Sequence, residues 1–217
     1  MKKVERLLAE KLLKISAIIL QVDNPFTWAS GWNSPIYTDN RKTLSYPDIR
    51  SFIKVELTRL IMESFKEVDV VAGVATGAIA QGALVADTLG LPYIYVRSTP
   101  KDHGLENLIE GSLKPRQKVV VIEDLISTGH SSLKAVEAIR AAGAEVVGMV
   151  ALFTYGFPIA EENFRKAGVK LYTLSNYNAM IEAALATNYI QAADVDTLKE
   201  WRKDPANWVP APTKSDY

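Results

Sequence analysis

Between residues 119 and 132 the chain reads VVVIEDLISTGHSS. A short apolar run leads into two adjacent carboxylates, Glu123 and Asp124, and then into a loop holding Ser127, Thr128, Gly129, His130 and Ser131. Each half has a chemical use. Amides of a loop that opens a helix point outward without partners, and together with the helix dipole they favour an anion, phosphate above all. Gly129 lets the backbone come close, and Ser127, Thr128 and Ser131 add hydroxyl donors. Neighbouring carboxylates can accept hydrogen bonds from a vicinal diol and favour positive charge developing in a transition state. Each half also has a plain reading, since Ser and Thr are ordinary N-caps and paired carboxylates are often only solvated. A carboxylate pair directly ahead of a phosphate cradle is more specific than either alone: it describes a site for a ribose 5-phosphate.

The elements that must position these groups follow from periodicity. From residue 68 onward, short β-branched runs alternate with helical stretches: strands over 68–76, 91–97, 117–124, 144–153 and 169–177, helices over 77–90, 130–143 and 158–168. The helices stop at Gly90, Gly143 and Gly168, and the last begins at Pro158, as terminators and starters should. Such alternation implies right-handed crossovers and a largely parallel sheet, and near-continuous apolar strands imply that both its faces are covered. Ligands of these sheets sit at the carboxyl ends of the strands. Three unusual stretches fall there: VATGAIAQG, RSTPKDHG and EDLISTGHSS.

Ahead of this core, Val4, Leu7, Leu8, Leu12, Ile15, Ile18 and Ile19 are spaced as one amphipathic helix over the first 20 residues. A polar, aromatic segment at 24–41 reads as loop or short strands, and a further helix is expected over 45–65.

Bulk composition narrows the class. The chain has 217 residues, 48% hydrophobic and 23% charged, which suits one soluble α/β domain. With 25 basic and 25 acidic residues the net charge is zero, which argues against a global grip on nucleic acid or membranes. There is no cysteine, so disulfides, thiolate nucleophiles and cysteine metal sites are excluded. Charges interrupt the first helix, so it reads as neither signal peptide nor membrane span, and a cytoplasmic location is expected.

The segment VVVIEDLISTGHSS resembles the 5-phosphoribosyl-1-pyrophosphate (PRPP) binding motif of type I phosphoribosyltransferases. FTWASGWNSPIYTDNR, RSTPKDHG, FTYGFP and TLSNY resemble, more narrowly, the orotate phosphoribosyltransferases, and the likeness runs from about residue 5 to about residue 209. It implies an α/β, type I phosphoribosyltransferase fold, a mostly parallel central sheet flanked by helices. One domain would span 1–217, with an N-terminal hood on the base side over about 1–45, a PRPP-binding core over about 46–209 and a tail at 210–217. The implied reaction joins orotate and PRPP into orotidine 5'-phosphate, releasing pyrophosphate, in pyrimidine (UMP) biosynthesis.

Roles carry over residue by residue. The resemblance implies catalytic roles for Lys101, His103, Glu123 and Asp124. PRPP would be held by Arg97, Lys101, His103, Glu123, Asp124, Leu125, Ile126, Ser127, Thr128, Gly129, His130 and Ser131. Orotate would meet Phe26, Ser30, Tyr37 and Ser127, and at least one of Phe26, Trp28 and Trp32 should be plain packing. Arg41 fits either the orotate carboxylate or an ordinary salt bridge. RSTPKDHG resembles the mobile catalytic loop that closes over the neighbouring subunit, which implies a homodimer. Mg2+ would ride on the pyrophosphate with no direct protein ligand.

The chain also departs from the enteric members. Ala29 and Gly77 stand where they carry lysines, Ser98 and Thr99 follow Arg97 where a second loop lysine is found, their orotate-binding arginine is replaced near Tyr155, and His130 stands where glycine or threonine is common. Three rival readings fit less well. The FTWASG and SPIY stretches argue against another base. A PRPP-sensing regulator would need a nucleic-acid surface, and there is no basic stripe. A generic nucleotide module would need G-x-G-x-x-G or a P-loop, and neither is present.

Overall fold

The computed structural model describes residues 2–28, 30–99 and 108–210. Helix α1 (Lys2–Lys14) buries Leu8, Ala9, Leu12 and Leu13. It stops well short of the helix expected over the first 20 residues. Ser16 adopts φ 54°, Ala17 N–H closes onto Leu12 O at 2.9 Å, and Ile18–Leu20 become strand β1. Two consecutive β-branched residues favour extended backbone, and β4 (Ile36–Thr38) is there to pair with them antiparallel. Between these strands, β2 (Phe26–Thr27) and β3 (Asn33–Ser34) form a second small antiparallel pair. A 3-10 segment (Asn40–Ser45) then leads to α2 (Pro47–Ser64), which has proline in its first turn.

The core follows the predicted rhythm: β5 (Val70–Val74), α3 (Ile79–Leu89), β6 (Tyr93–Val96), β7 (Ile109–Glu110), β8 (Lys118–Ile126), α4 (His130–Ala141), β9 (Glu145–Thr154), α5 (Pro158–Ala167), β10 (Leu171–Asn176), α6 (Tyr177–Ala186) and α7 (Asp194–Lys203). The six-stranded sheet runs β10-β9-β8-β5-β6-β7. Every neighbouring pair is parallel except β6 with β7. β7 was not anticipated: two residues are too few for a periodicity, and it forms because Tyr95 and Val96 offer an open edge.

One apolar cluster covers the sheet face under α1, α2, α3 and α6, and a second covers the face under α4 and α5. α1 is tied to the core by Ser175 Oγ, which donates to Glu5 O at 2.7 Å. Chain direction across the sheet reverses between β5 and β8. A crevice opens at the strand carboxyl ends at such a switch point. No helix among the described residues is long and apolar enough to cross a membrane.

Candidate active site

β8 runs two residues past its expected end, so Glu123 and Asp124 lie within a strand that stays paired with β9 as far as Ile126. Successive strand residues face opposite ways, and this separates the two carboxylates. Glu123 turns toward α4, where Ser132 Oγ donates to its Oε2 at 2.8 Å and the Asp124 amide donates to its Oε1 at 2.9 Å. It is 5% exposed. Burial first, and the neighbouring Asp124 charge second, raise its carboxyl well above the ordinary glutamate range. Asp124 is half-buried and faces α3, with its carboxylate against the Cα of Gly77.

Glu123 and Asp124 both border one cleft of about 290 Å³. Its other walls are Val74, Ala75, Thr76 and Gly77 after β5, and Leu125, Ser127, Thr128, Gly129 and Ser131 around the α4 N-terminus. The Ala75–Thr76 peptide is cis. Two of the three unusual stretches therefore meet, as the sheet logic required. The third, RSTPKDHG, falls from Pro100 to Gly104 outside the described residues, and with it Lys101 and His103.

The α4 terminus separates the two readings of Ser127–Ser131. Gly129 is the N-cap at φ 80°, and no side chain caps the helix. Among the described residues the hydroxyls of Ser127, Thr128 and Ser131 make no hydrogen bond to protein. First-turn amides and three hydroxyls are thus left at the cleft, the requirement for an anion site. Gly129 is held to glycine twice over: its φ is left-handed, and a Cβ would come within 2.7 Å of the Phe164 ring.

Not every predicted residue points inward. Ile126 is fully buried in the second apolar cluster; its carbonyl accepts from the Tyr155 amide. The His130 side chain lies on a separate groove with Asn163 and Lys166. These two can contribute backbone only. Arg97 borders an adjoining cavity of about 500 Å³ that shares Val74, Ala75 and Ser131 with the cleft, and its guanidinium lies 3.7 Å from Glu110. Phe26, Ser30 and Tyr37 stand outside the cleft walls: the Phe26 and Tyr37 rings pair at 5.5 Å and Ser30 sits exposed on the turn between β2 and β3.

Trp28 is the packing aromatic. Its Nε1 donates to Ile36 O at 2.9 Å and its ring meets Tyr155 and Trp201. Tyr155 is 2% exposed, and its hydroxyl lies 2.8 Å from Thr38 Oγ1. It joins the end of β9 to β4, and its hydroxyl hydrogen is donated to Thr38. Arg41 forms the salt bridge that the sequence allowed, Nε to Asp39 Oδ1 at 2.7 Å.

Sequence reasoning did not anticipate Asn40. It is 3% exposed, its Nδ2 donates to Asp124 O at 2.7 Å, and its Oδ1 has no partner among the described residues. No local pattern signals a bond between residues 84 apart. Thr76 was flagged only as part of an unusual loop, Gly77 only as a departure from the enteric lysine, and Ser132 carried no signal beyond its place on α4.

Known proteins bear on this geometry. The phosphoribosyl transferase domain model matches residues 51–184. The orotate phosphoribosyltransferase of Bacteroides thetaiotaomicron is 70% identical over 208 residues, covering 96% of this chain and 98% of that one. The chain belongs to the orotate phosphoribosyltransferase family. Within the family, the Listeria monocytogenes serotype 4b relative is 56% identical over 94% of this chain and 98% of its own. The crystal structure of orotate phosphoribosyltransferase from Aeropyrum pernix superposes with a TM-score of 0.74 at 29% identity, covering 85% of this chain and 99% of that one. Leishmania donovani UMP synthase gives 0.75 at 28% identity, over 91% of this chain and 42% of its own.

Proposed function

We propose that the protein transfers the 5-phosphoribosyl group from PRPP to orotate, yielding orotidine 5'-phosphate and pyrophosphate. The observation that carries this is the uncapped α4 terminus set beside Asp124 at the β5/β8 switch point. The 5-phosphate would rest on the amides and hydroxyls of Ser127 to Ser131, and the Asp124 carboxylate would accept hydrogen bonds from the ribose hydroxyls. Glu123, held by Ser132 and already bonded to the Asp124 amide, would orient that strand end from beneath.

As the bond from C1 of the ribose to pyrophosphate breaks and the orotate nitrogen attacks, positive charge grows on the ribose. Asp124 favours that charge. The Val74–Gly77 loop borders the cleft, on the side where pyrophosphate would depart. Phe26, Ser30, Tyr37 and Ser127 would border the base, with the hood pair of rings moving onto it.

Mg2+ on the pyrophosphate would neutralise part of the leaving group's charge. The residues present fit an ion carried by the substrate, because Mg2+ keeps several waters and binds largely through substrate phosphates, and Asp124, half-buried at the cleft, could accept hydrogen bonds from those waters without ligating the ion. Arg97, Lys101 and His103 would meet the pyrophosphate, the latter two delivered by the partner subunit of a homodimer working in the cytoplasm. Closure of that loop would exclude water from the cation-like ribose.

The test mixes purified protein with Mg2+, PRPP and orotate and follows loss of orotate absorbance, with uracil, hypoxanthine and adenine in parallel. Loss with orotate alone is expected. Turnover of another base, or of none, would overturn the reading.

A further inference from the structure

Orotate differs from uracil by one carboxylate, charged at neutral pH. Bringing it out of water without a cation is costly. Tyr155, at the end of β9, is uncharged and buried, with its hydroxyl bonded to Thr38. None of the residues lining the cleft is a lysine, arginine or histidine. Arg97, on the adjoining cavity, faces Glu110.

Arg41 remains, and its placement is built. Asn40, the residue before it, is locked to the Asp124 carbonyl at 2.7 Å by a buried amide, and Thr43 Oγ1 closes onto Asn40 O at 2.6 Å. The 3-10 segment is thereby fixed to the strand that carries the carboxylates. Asp39 Oδ1 then accepts both the Arg41 amide at 3.2 Å and Arg41 Nε at 2.7 Å. That contact holds the guanidinium by one edge. Among the described residues neither Nη group has a hydrogen-bond acceptor, and the side chain is 58% exposed. Arg41 thus follows directly on a residue bonded to the Asp124 backbone, three residues after β4, which carries Tyr37. A planar fork with two free donors matches a carboxylate in bidentate fashion.

We infer that Arg41 reads the orotate carboxylate, with Asp39 and Asn40 as the residues that position it. This rests on the proposed orotate transfer, but it is tested by a readout that needs no turnover. Orotidine 5'-phosphate and uridine 5'-phosphate differ only in that carboxylate, so calorimetry with each isolates its recognition. The wild type should prefer orotidine 5'-phosphate by at least about tenfold, the scale of charged hydrogen bonds. Arg41→Ala should bring the two within about twofold while leaving uridine 5'-phosphate binding unchanged, and Arg41→Lys, which keeps the charge without the fork, should fall between.

A wild-type preference that survives Arg41→Ala overturns the inference. So does equal loss of both ligands, or a wild type with no preference. If the preference depends on Arg41 but no base is turned over, the inference stands and the transfer reading falls.

Discussion

The Asp124 carboxylate lies against the Cα of Gly77, leaving no volume for a Cβ between them. This contact joins the loop after β5 to the end of β8 and sets the aim of Asp124. It also accounts for one departure from the enteric pattern. A side chain at 77, lysine included, would need a different course for the Ala75–Gly77 backbone or for Asp124.

Gly77→Ala is therefore expected to keep the fold and damage the site. The added methyl must push the carboxylate aside, and a displacement of about 1 Å in a reacting group costs on the order of a hundredfold in rate. Turnover number should fall by about that factor, with circular dichroism unchanged. Full activity in the alanine variant would show that Asp124 does not need its present aim.

Glu123 makes stability depend on pH. Its carboxyl holds its proton more tightly in the folded chain than its ordinary value of 4.5. Between that value and the raised one the folded state binds more protons, so stability is fully present below about pH 4.5 and declines as pH rises through the window. Glu123→Gln removes the titration. The melting-temperature difference between variant and wild type should be smallest near about pH 4.5 and should grow in the variant's favour toward neutrality. A difference that stays constant with pH would show that Glu123 is not held protonated by its surroundings.

Tyr155 ties the end of β9 to the hood. Tyr155→Phe removes one buried hydroxyl contact with Thr38 and should cost about 1 kcal/mol in urea unfolding. Tyr155→Arg would bury a guanidinium among Trp28, Phe157 and Trp201 and should destabilise by about 3 kcal/mol or more. A stable Tyr155→Arg protein with tighter orotate binding would mean that the side chain can turn to the base.

Sharing of the loop between subunits is open to complementation. Lys101→Ala and Asp124→Asn should each be nearly inactive. In the proposed homodimer, subunit exchange would leave about half the dimers mixed, and a crossing loop would leave one intact site in each, so about a quarter of wild-type activity should return. No recovery despite verified exchange would place Lys101 in its own subunit's site.

What the sequence determined alone is what local pattern encodes. Alternating apolar runs and glycine stops announced the parallel sheet and its helices. The pairing of Glu123 and Asp124 with Ser127 to Ser131 pointed to a ribose-phosphate site, because a strand end, a loop and a helix start are contiguous in the chain. Tertiary structure decided everything that depends on partners distant in sequence. α1 ends at Lys14 because β1 finds β4. Asn40 meets Asp124 across 84 residues. Glu123 is pushed off its ordinary titration by burial that no spacing reveals. Tyr155, near which the enteric orotate-binding arginine is replaced, is drawn into an aromatic cluster with Trp28 and Trp201. The physical reason is common to all four: periodicity reports which face of an element is apolar, whereas which groups meet across faces is settled only when the elements pack.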